Sequence, residues 1–276
     1  MNNRAVWAIA KKDMRGITTS VQIWLPMILL PVIIGVVLPG VLIILARMND
    51  LSQISNVQLV INLIEKLQGT SLYDTLQAYP TLNQQIIYLM VTYLFAPFFL
   101  LIPIMVSSVV AANSFVGEKE RKTLESLFLS PIDMKSLFIG KILSALIPAI
   151  VISLITFVLY GIVVNVTAYP LFGTIIFPTG NWMVLIIWVI PIISLTVILL
   201  NVLISAKVKG YQEAYQLGGL VVLPVLALVA SQFTGVLFLN AIVSFTIGFI
   251  LLIVTVLLLQ FIAKHNNRVT LSEKQI

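Results

Sequence analysis

Residues 241–263 read AIVSFTIGFILLIVTVLLLQFIA, an unbroken run that contains no charged side chain. A helix crosses the hydrocarbon core of a bilayer with about 20 apolar residues, so this run is long enough to span it. We place six such stretches at 22–46, 86–112, 142–164, 182–206, 216–234 and 241–263. The sequence therefore predicts an all-α membrane protein with about six transmembrane helices in a single domain over 1–276.

The composition favours a membrane protein over a soluble one. Of the 276 residues, 60% are hydrophobic and 9% are charged, whereas soluble domains carry about 25% charged residues. We attribute the net charge of +6 to membrane topology rather than to binding of nucleic acid. The chain has no cysteine, and its single histidine, His265, lies in a polar tail, so we expect no disulfide and no metal site.

The basic residues predict the orientation of the chain, because lysine and arginine concentrate on the cytoplasmic side of membrane proteins. If the N-terminus is cytoplasmic, all but two of the 16 basic residues fall on the inner side, and only Arg47 and Lys66 fall outside. Adding or removing one span would break this alternation. Both termini are therefore predicted to be cytoplasmic.

The prolines and the uncharged polar residues of the predicted spans can each be interpreted in two ways. The prolines either shape a pathway or are ordinary membrane-helix kinks, and the uncharged polar residues either line a path or hold helices together. No predicted span has an ionisable side chain in its middle, which argues against a proton-coupled carrier. The prolines are Pro26, Pro31, Pro39, Pro97, Pro103, Pro148, Pro191 and Pro224. The polar residues are Thr92, Ser107, Ser108, Thr196, Asn201, Gln216 and Gln232.

Three further features concern the ends of the spans. Residues 1–21 combine Trp7 and other apolar side chains with four basic residues, which predicts an amphipathic helix at the membrane interface. The outer segment 47–85 shows helical spacing up to Gly69, which predicts a short helix there. Trp182 and Tyr160 lie near predicted span ends, where amphipathic rings favour the interface.

The inner segment 113–141 begins NSFVGEKERKTLESLFLSPIDMK and closes on Gly140 and Lys141. Glu118 pairs with Lys122, and Arg121 with Glu125, at the spacing of neighbours on a helix. Ser130 and Pro131 then stop that helix, and Asp133 is a candidate cap for the next one. The pattern alone is that of either a solvated connector or a docking element for a cytoplasmic partner.

This segment resembles the signature of permease subunits of type-2 ATP-binding-cassette (ABC) transporters, in the exporter branch. The resemblance extends to the six-helix layout and the amphipathic N-terminal helix. It implies that two permeases, identical or sibling, pair around a pathway while separate ATPase subunits dock beneath them. The charged segment would then be a coupling helix that inserts into the ATPase. The implied ATPase-coupling residues are Glu118, Glu120, Arg121, Lys122, Leu124, Glu125, Leu127 and Phe128.

The resemblance also sets expectations about cofactors and location. The chain has no G-x-x-x-x-G-K-[ST] phosphate loop, so we expect no catalysis or cofactor in this chain, and ATP and Mg²⁺ bound by the partner ATPase. We expect a multi-pass protein of a prokaryotic plasma membrane, in contact with membrane lipids. The alternatives are a stand-alone channel or secondary carrier, and a membrane scaffold or sensor component.

Overall fold

The computed structural model describes residues 2–49, 51, 57–117, 133–208 and 210–265. Over these residues the chain is helical and has no strand. Three of the helices in this part of the chain lie outside the spans: α1 (Asn3–Thr18), α3 (Gln58–Lys66) and α4 (Ser71–Gln77). Among the described residues, six helices are long and apolar enough to cross a membrane: α2 (Ile23–Met48), α5 (Leu82–Gly117), α6 (Met134–Phe172), α7 (Gly180–Ser205), α8 (Gln212–Thr234) and α9 (Ala241–Lys264).

These helices confirm the number of spans predicted from the sequence, and one of them is much longer than expected. The predicted third span covers 142–164, whereas α6 runs through 39 residues from Met134 to Phe172. At 1.5 Å per residue this helix is about 58 Å long, roughly twice the thickness of the hydrocarbon core. Both ends of the predicted inner segment 113–141 are therefore helical, because α5 continues to Gly117 and α6 begins at Met134.

Helix α5 forms the centre of the bundle. In its most apolar window 78% of the residues are buried, compared with 17% in α8 and in α9. It contacts α2, α6, α7 and α8, and α9 packs against α7. The outer helices expose large apolar side chains such as Leu25, Ile155 and Phe249. This arrangement suits a bundle surrounded by lipid, because exposed apolar side chains are stable in hydrocarbon.

Among the described residues the spans contain four π-helical turns, and three of them, in three different spans, lie just before a proline. These three turns are Ile33–Val37 in α2, Met90–Leu94 in α5 and Leu185–Val189 in α7, followed by Pro39, Pro97 and Pro191. A proline lacks the amide that would bond the carbonyl four residues earlier, and its ring clashes with that carbonyl. In all three cases the affected carbonyl belongs to the π turn, so the wider turn accommodates the proline.

The fifth span is interrupted just after a pair of glycines, Gly218 and Gly219. Helix α8 consists of Tyr211–Gly219 and Val222–Thr234, with a tight turn between them. Gly218 lies where α8 crosses α5 and α7, and a Cβ atom there would approach the Ser108 hydroxyl oxygen to 2.5 Å and the Asn201 amide oxygen to 2.8 Å. The inner half of α8 can approach its neighbours this closely only because residue 218 has no side chain.

The segment between α2 and α5 folds back over one end of the bundle. Helix α3 is followed by Gly69 in a left-handed conformation (φ +83°), which agrees with the helix end predicted there. Val60, Leu63 and Ile64 of α3 are buried in the main core. Leu63 also reaches Gly235 at the C-terminal end of α8. Helix α3 therefore covers the C-terminal end of the fifth span.

Candidate functional site

The residues predicted to couple to an ATPase all fall between 118 and 132 and lie outside the described residues. The structure does show the two ends from which this segment extends. One end is the last described turn of α5, Asn113–Gly117, and the other is the start of α6 at Met134. The surroundings of these two ends therefore define the candidate site.

The start of α6 is capped by Asp133 and is hydrogen-bonded to the beginning of the chain. The carboxylate of Asp133 accepts a hydrogen bond from the Ser136 amide at 3.3 Å, which is the cap predicted from the sequence. Hydrogen bonding from Ser136 lowers the pKa of Asp133 below its ordinary value. The Ser136 hydroxyl in turn accepts from the backbone amide of Asn2 at 3.1 Å, so the beginning of the chain is tied to the beginning of α6.

Helix α1 packs its apolar face against α6. Val6, Ile9 and Ala10 are buried, and a Cβ at Gly140 of α6 would lie 2.9 Å from Ile9 Cβ. Polar contacts lie near both ends of this interface, between Asn2 and Ser136 and between Asp13 and Lys141. Val6, Ile9 and Ala10, which are among the apolar residues that suggested an interfacial helix, thus contact protein, whereas Trp7 is exposed. The opposite face exposes a different stripe, formed by Arg4, Trp7, Lys11 and Arg15.

Three polar side chains meet beneath α1 and form a cluster that we call the basal cluster: Asp13 of α1, Ser114 of α5 and Lys141 of α6. The Ser114 hydroxyl donates to the Asp13 carboxylate at 2.5 Å. The Lys141 ammonium donates to the Ser114 carbonyl and lies 3.8 Å from the same carboxylate oxygen. Exposed fractions are 8% for Asp13 and 3% for Ser114 and Lys141, so the charges compensate one another away from water.

The sequence interpretation missed this cluster because it treated Lys141 as a solvated topogenic charge. The position of Asp13 in the sequence could have indicated the cluster. Asp13 occupies the apolar face of α1, four residues after Ile9 and four before Ile17, both of which are buried. An acidic residue on the buried face of an amphipathic helix requires a buried partner. The closing Lys141 of the motif supplies it.

A second polar network surrounds the π turn Met90–Leu94 of α5, in the half of the bundle away from the basal cluster. The Tyr160 hydroxyl donates to the Val91 carbonyl at 2.6 Å, and both Trp182 and Asn181 donate to the Thr92 carbonyl. Gln232, in the amide orientation that matches donors with acceptors, donates to the Tyr93 carbonyl at 3.1 Å and accepts from the Leu239 amide. Side chains of α6, α7 and α8 thus complete the hydrogen bonds of three consecutive carbonyls in α5.

The sequence placed Trp182 and Tyr160 near span ends because of their interfacial preference, and the structure shows that their rings face the interior of the bundle. Both are fully buried, and their rings stack with centroids 4.9 Å apart inside a cluster of aromatic residues. The physical reason is that the π turn exposes carbonyls that need donors, and in a dry interior only side chains can provide them.

Several of the uncharged polar residues in the spans hold helices together. Thr196 of α7 lies 2.6 Å from Thr255 of α9, oxygen to oxygen, and Asn201 donates to Ser108 of α5 at 3.4 Å. Gln216 is different, because it is exposed on the surface of α8. The interhelical interpretation is therefore supported for Ser108, Thr196 and Asn201. The hydroxyls of Thr92 and Ser107 are buried without a hydrogen-bond partner among the described residues, so this interpretation does not extend to them.

An open apolar groove of about 410 Å³ lies on the outer half of α6. Its walls include Phe157, Gly161 and Pro178. Asn165 fixes one wall, because its side chain bonds the backbone of Ile176 and Phe177. The groove opens on the exposed face of the bundle rather than between the spans.

The fold and the site together define the class of the protein. Six apolar helices with lipid-compatible surfaces form a multi-pass membrane protein. Among the described residues, the buried charges Asp13 and Lys141 lie together at one end of the bundle, beside the segment that joins α5 to α6. Residues 7–274 match the family model described as ABC-2 family transporter protein. The chain therefore belongs to this family and is a permease, the membrane subunit of a type-2 ABC transporter. Searches of curated proteins and of solved structures returned no match.

Proposed function

We propose that this permease forms the translocation pathway of an ATP-driven exporter, together with a second permease and separate ATPase subunits that bind ATP and Mg²⁺. The ATPase docks on the coupling helix within residues 118–128. The observation that carries the proposal is the family match over 7–274, which includes this charged segment. The basal cluster supports it, because both ends of the segment are attached to a compact, buried base.

The first test of this proposal is purification of the tagged chain from its native membrane in mild detergent, followed by mass spectrometry. We expect a stoichiometric ATPase with a phosphate loop in the sample. A second permease sequence in the sample would identify a heterodimer. Repeated recovery of the intact chain without any ATPase would contradict the proposal and favour a channel or carrier, which flux into liposomes would then test.

The docking role of the coupling helix is tested by charge reversal. Glu118→Lys combined with Arg121→Glu should lower permease-dependent ATP hydrolysis of the reconstituted complex, because both side chains would contact the ATPase. The melting temperature should stay unchanged, since these residues lie in an aqueous segment. Glu65→Lys is the matched control, because Glu65 is exposed on the outer helix α3. Wild-type hydrolysis in the double reversal would exclude this docking mode.

We further propose that both termini are cytoplasmic, in the plasma membrane of a prokaryote. The absence of cysteine from the chain makes single-cysteine labelling free of background. Ala8 is exposed on α1 and Ser71 is exposed on α4, at opposite ends of the bundle. Ala8→Cys should react with a membrane-impermeant maleimide only in inside-out vesicles, and Ser71→Cys only in intact cells. The reverse labelling pattern would overturn the topology.

The exposed stripe Arg4, Trp7, Lys11 and Arg15 gives α1 a second role in the proposal. A tryptophan among basic side chains suits the cytoplasmic membrane interface. The same stripe faces away from α6 and is therefore open to an ATPase docked on the neighbouring coupling segment. We place α1 at this junction, between the leaflet and the ATPase.

The surface of α8 supports pairing with a second permease. Its outward line contains Gln216, Gly219, Ala227 and Ala230, all exposed, and small or polar residues are typical of interfaces between membrane helices. Both α8 and α9 expose large apolar side chains, such as Leu223 and Leu257, so the line of small residues is what distinguishes α8.

A photo-crosslinking amino acid tests this pairing at two positions. At position 227 it should yield an adduct with a second permease, and at position 257 it should react with lipid only. Adducts from position 257 alone would place the interface elsewhere.

A further inference from the structure

The basal cluster joins three segments that are far apart in the sequence. Asp13 belongs to α1, Ser114 lies three residues before the last described residue of α5, and Lys141 lies one to two turns into α6. Both ends of the coupling segment are thereby bonded to each other and to the N-terminal helix. We propose that Asp13, Ser114 and Lys141 are positioning residues that clamp α1 to both ends of the coupling segment, so that the three elements move as one body during ATP-driven transport. The common movement during ATP-driven transport rests on the proposed function.

The basal cluster is held by hydrogen bonds, which require a defined orientation of the partners, whereas apolar packing does not. Replacing a buried ion pair by apolar residues of similar size is often neutral or stabilising, so stability alone does not account for a buried lysine and aspartate. Here the ammonium is bonded to a backbone carbonyl of α5 and the hydroxyl of the same residue is bonded to α1. These bonds fix the rotation of α5 relative to α1 and α6, which an apolar contact would not do.

Two neighbouring contacts strengthen the same connection. The absence of a side chain at Gly140 brings Ile9 within van der Waals distance of the α6 backbone. The Lys141 ammonium also lies 5.5 Å from the ring centre of Phe115, within range of a cation–π interaction. Helix α1 is therefore held along its length, at Asn2, at Ile9 and at Asp13.

The clamp itself can be tested on the permease alone. Ala10 lies on the buried face of α1 and has an exposed fraction of 0%. A cysteine at this position should therefore react slowly with maleimide while α1 is docked on α6. The neutral pair Asp13→Asn with Lys141→Met leaves no single buried charge and should preserve the fold. We expect it to raise the labelling rate of Ala10→Cys several-fold. The control Lys207→Met removes an exposed charge outside α1 and should leave that rate unchanged.

The positioning role is tested on the complex with the ATPase. In the neutral pair, permease-dependent ATP hydrolysis should fall about fivefold or more, the lower end of coupling factors between sites, while the melting temperature stays near that of the wild type. A disulfide between Asn2→Cys and Ser136→Cys, whose parent residues are hydrogen-bonded, should restore hydrolysis by replacing the lost connection. A merely structural role would not produce this rescue at constant melting temperature.

The outcomes distinguish a failure of the clamp from a failure of the proposed function. Wild-type labelling of Ala10→Cys in the neutral pair would overturn the clamp. Loss of hydrolysis on forming the disulfide in an otherwise wild-type complex would also overturn it, because α1 and α6 would then have to separate during turnover. If hydrolysis by the wild-type complex does not depend on the permease, the proposed function fails, while the labelling experiment still tests the clamp.

Discussion

The hydroxyl of Tyr160 makes one hydrogen bond whose loss has a definable cost. Tyr160→Phe removes that oxygen and retains the ring, which stacks on Trp182 with centroids 4.9 Å apart. The Val91 carbonyl, which accepts the bond at 2.6 Å, then loses this donor. Both residues have an exposed fraction of 0%, so water cannot take the place of the hydroxyl.

The expected size of the effect follows from two ranges. Leaving a buried polar group unsatisfied costs about 1–3 kcal/mol, whereas hydrogen bonds between membrane helices average about 0.6 kcal/mol and reach about 1.7 kcal/mol. The lower average arises because alternative partners exist, but the π turn prevents a regular helical bond at this carbonyl. We therefore expect about 1–2 kcal/mol, which lowers the melting temperature by roughly 2–8 °C in a chain of this size.

The assay is thermal unfolding in detergent, followed by tryptophan fluorescence, to which the neighbouring Trp182 contributes. Tyr169→Phe is the matched control, because Tyr169 lies at the outer end of the same helix with 59% of its surface exposed. We expect no shift for that variant. If Tyr160→Phe melts at or above the wild-type temperature, the carbonyl is satisfied in another way and the argument for the network is refuted.

Two glycine pairs provide further predictions. Gly218→Ala places a Cβ 2.5 Å from a side-chain oxygen of α5, so overpacking should cost about 1–3 kcal/mol and lower the melting temperature, whereas Gly219→Ala meets no atom within 4 Å and should be neutral. Gly140→Ala places a Cβ 2.9 Å from Ile9 Cβ and should loosen α1, seen as faster proteolysis of the N-terminal segment. Gly16→Ala, with no atom within 4 Å, should leave proteolysis unchanged.

The spans could be predicted from sequence because they depend only on a local property of the chain, the length of an apolar run. An uncharged apolar run of sufficient length is recognisable without knowing its neighbours, and all six runs are helices among the described residues. The break in α8 was equally local, since two glycines and Pro224 weaken the helix wherever it packs.

The features that the sequence did not reveal depend on partners distant in the chain. Lys141 marked the predicted start of the third span because a charge usually ends an apolar run, yet α6 continues past it because Asp13 compensates the ammonium. Trp182 was assigned to the interface because its preference as a single residue is interfacial. Its burial is explained by the Thr92 carbonyl, whose need for a donor arises from a π turn before Pro97 in another helix.

The π turn of α5 also constrains how the protein is made. Its three carbonyls receive their donors from α6, α7 and α8, all of which follow it in the order of synthesis. An unsatisfied backbone group in hydrocarbon costs several kcal/mol, and Pro97 has no amide with which the Tyr93 carbonyl could form a helical bond in the meantime. Helix α5 therefore cannot be released into lipid as a finished element. Its central turn matures late in biogenesis, when Gln232 has entered the membrane.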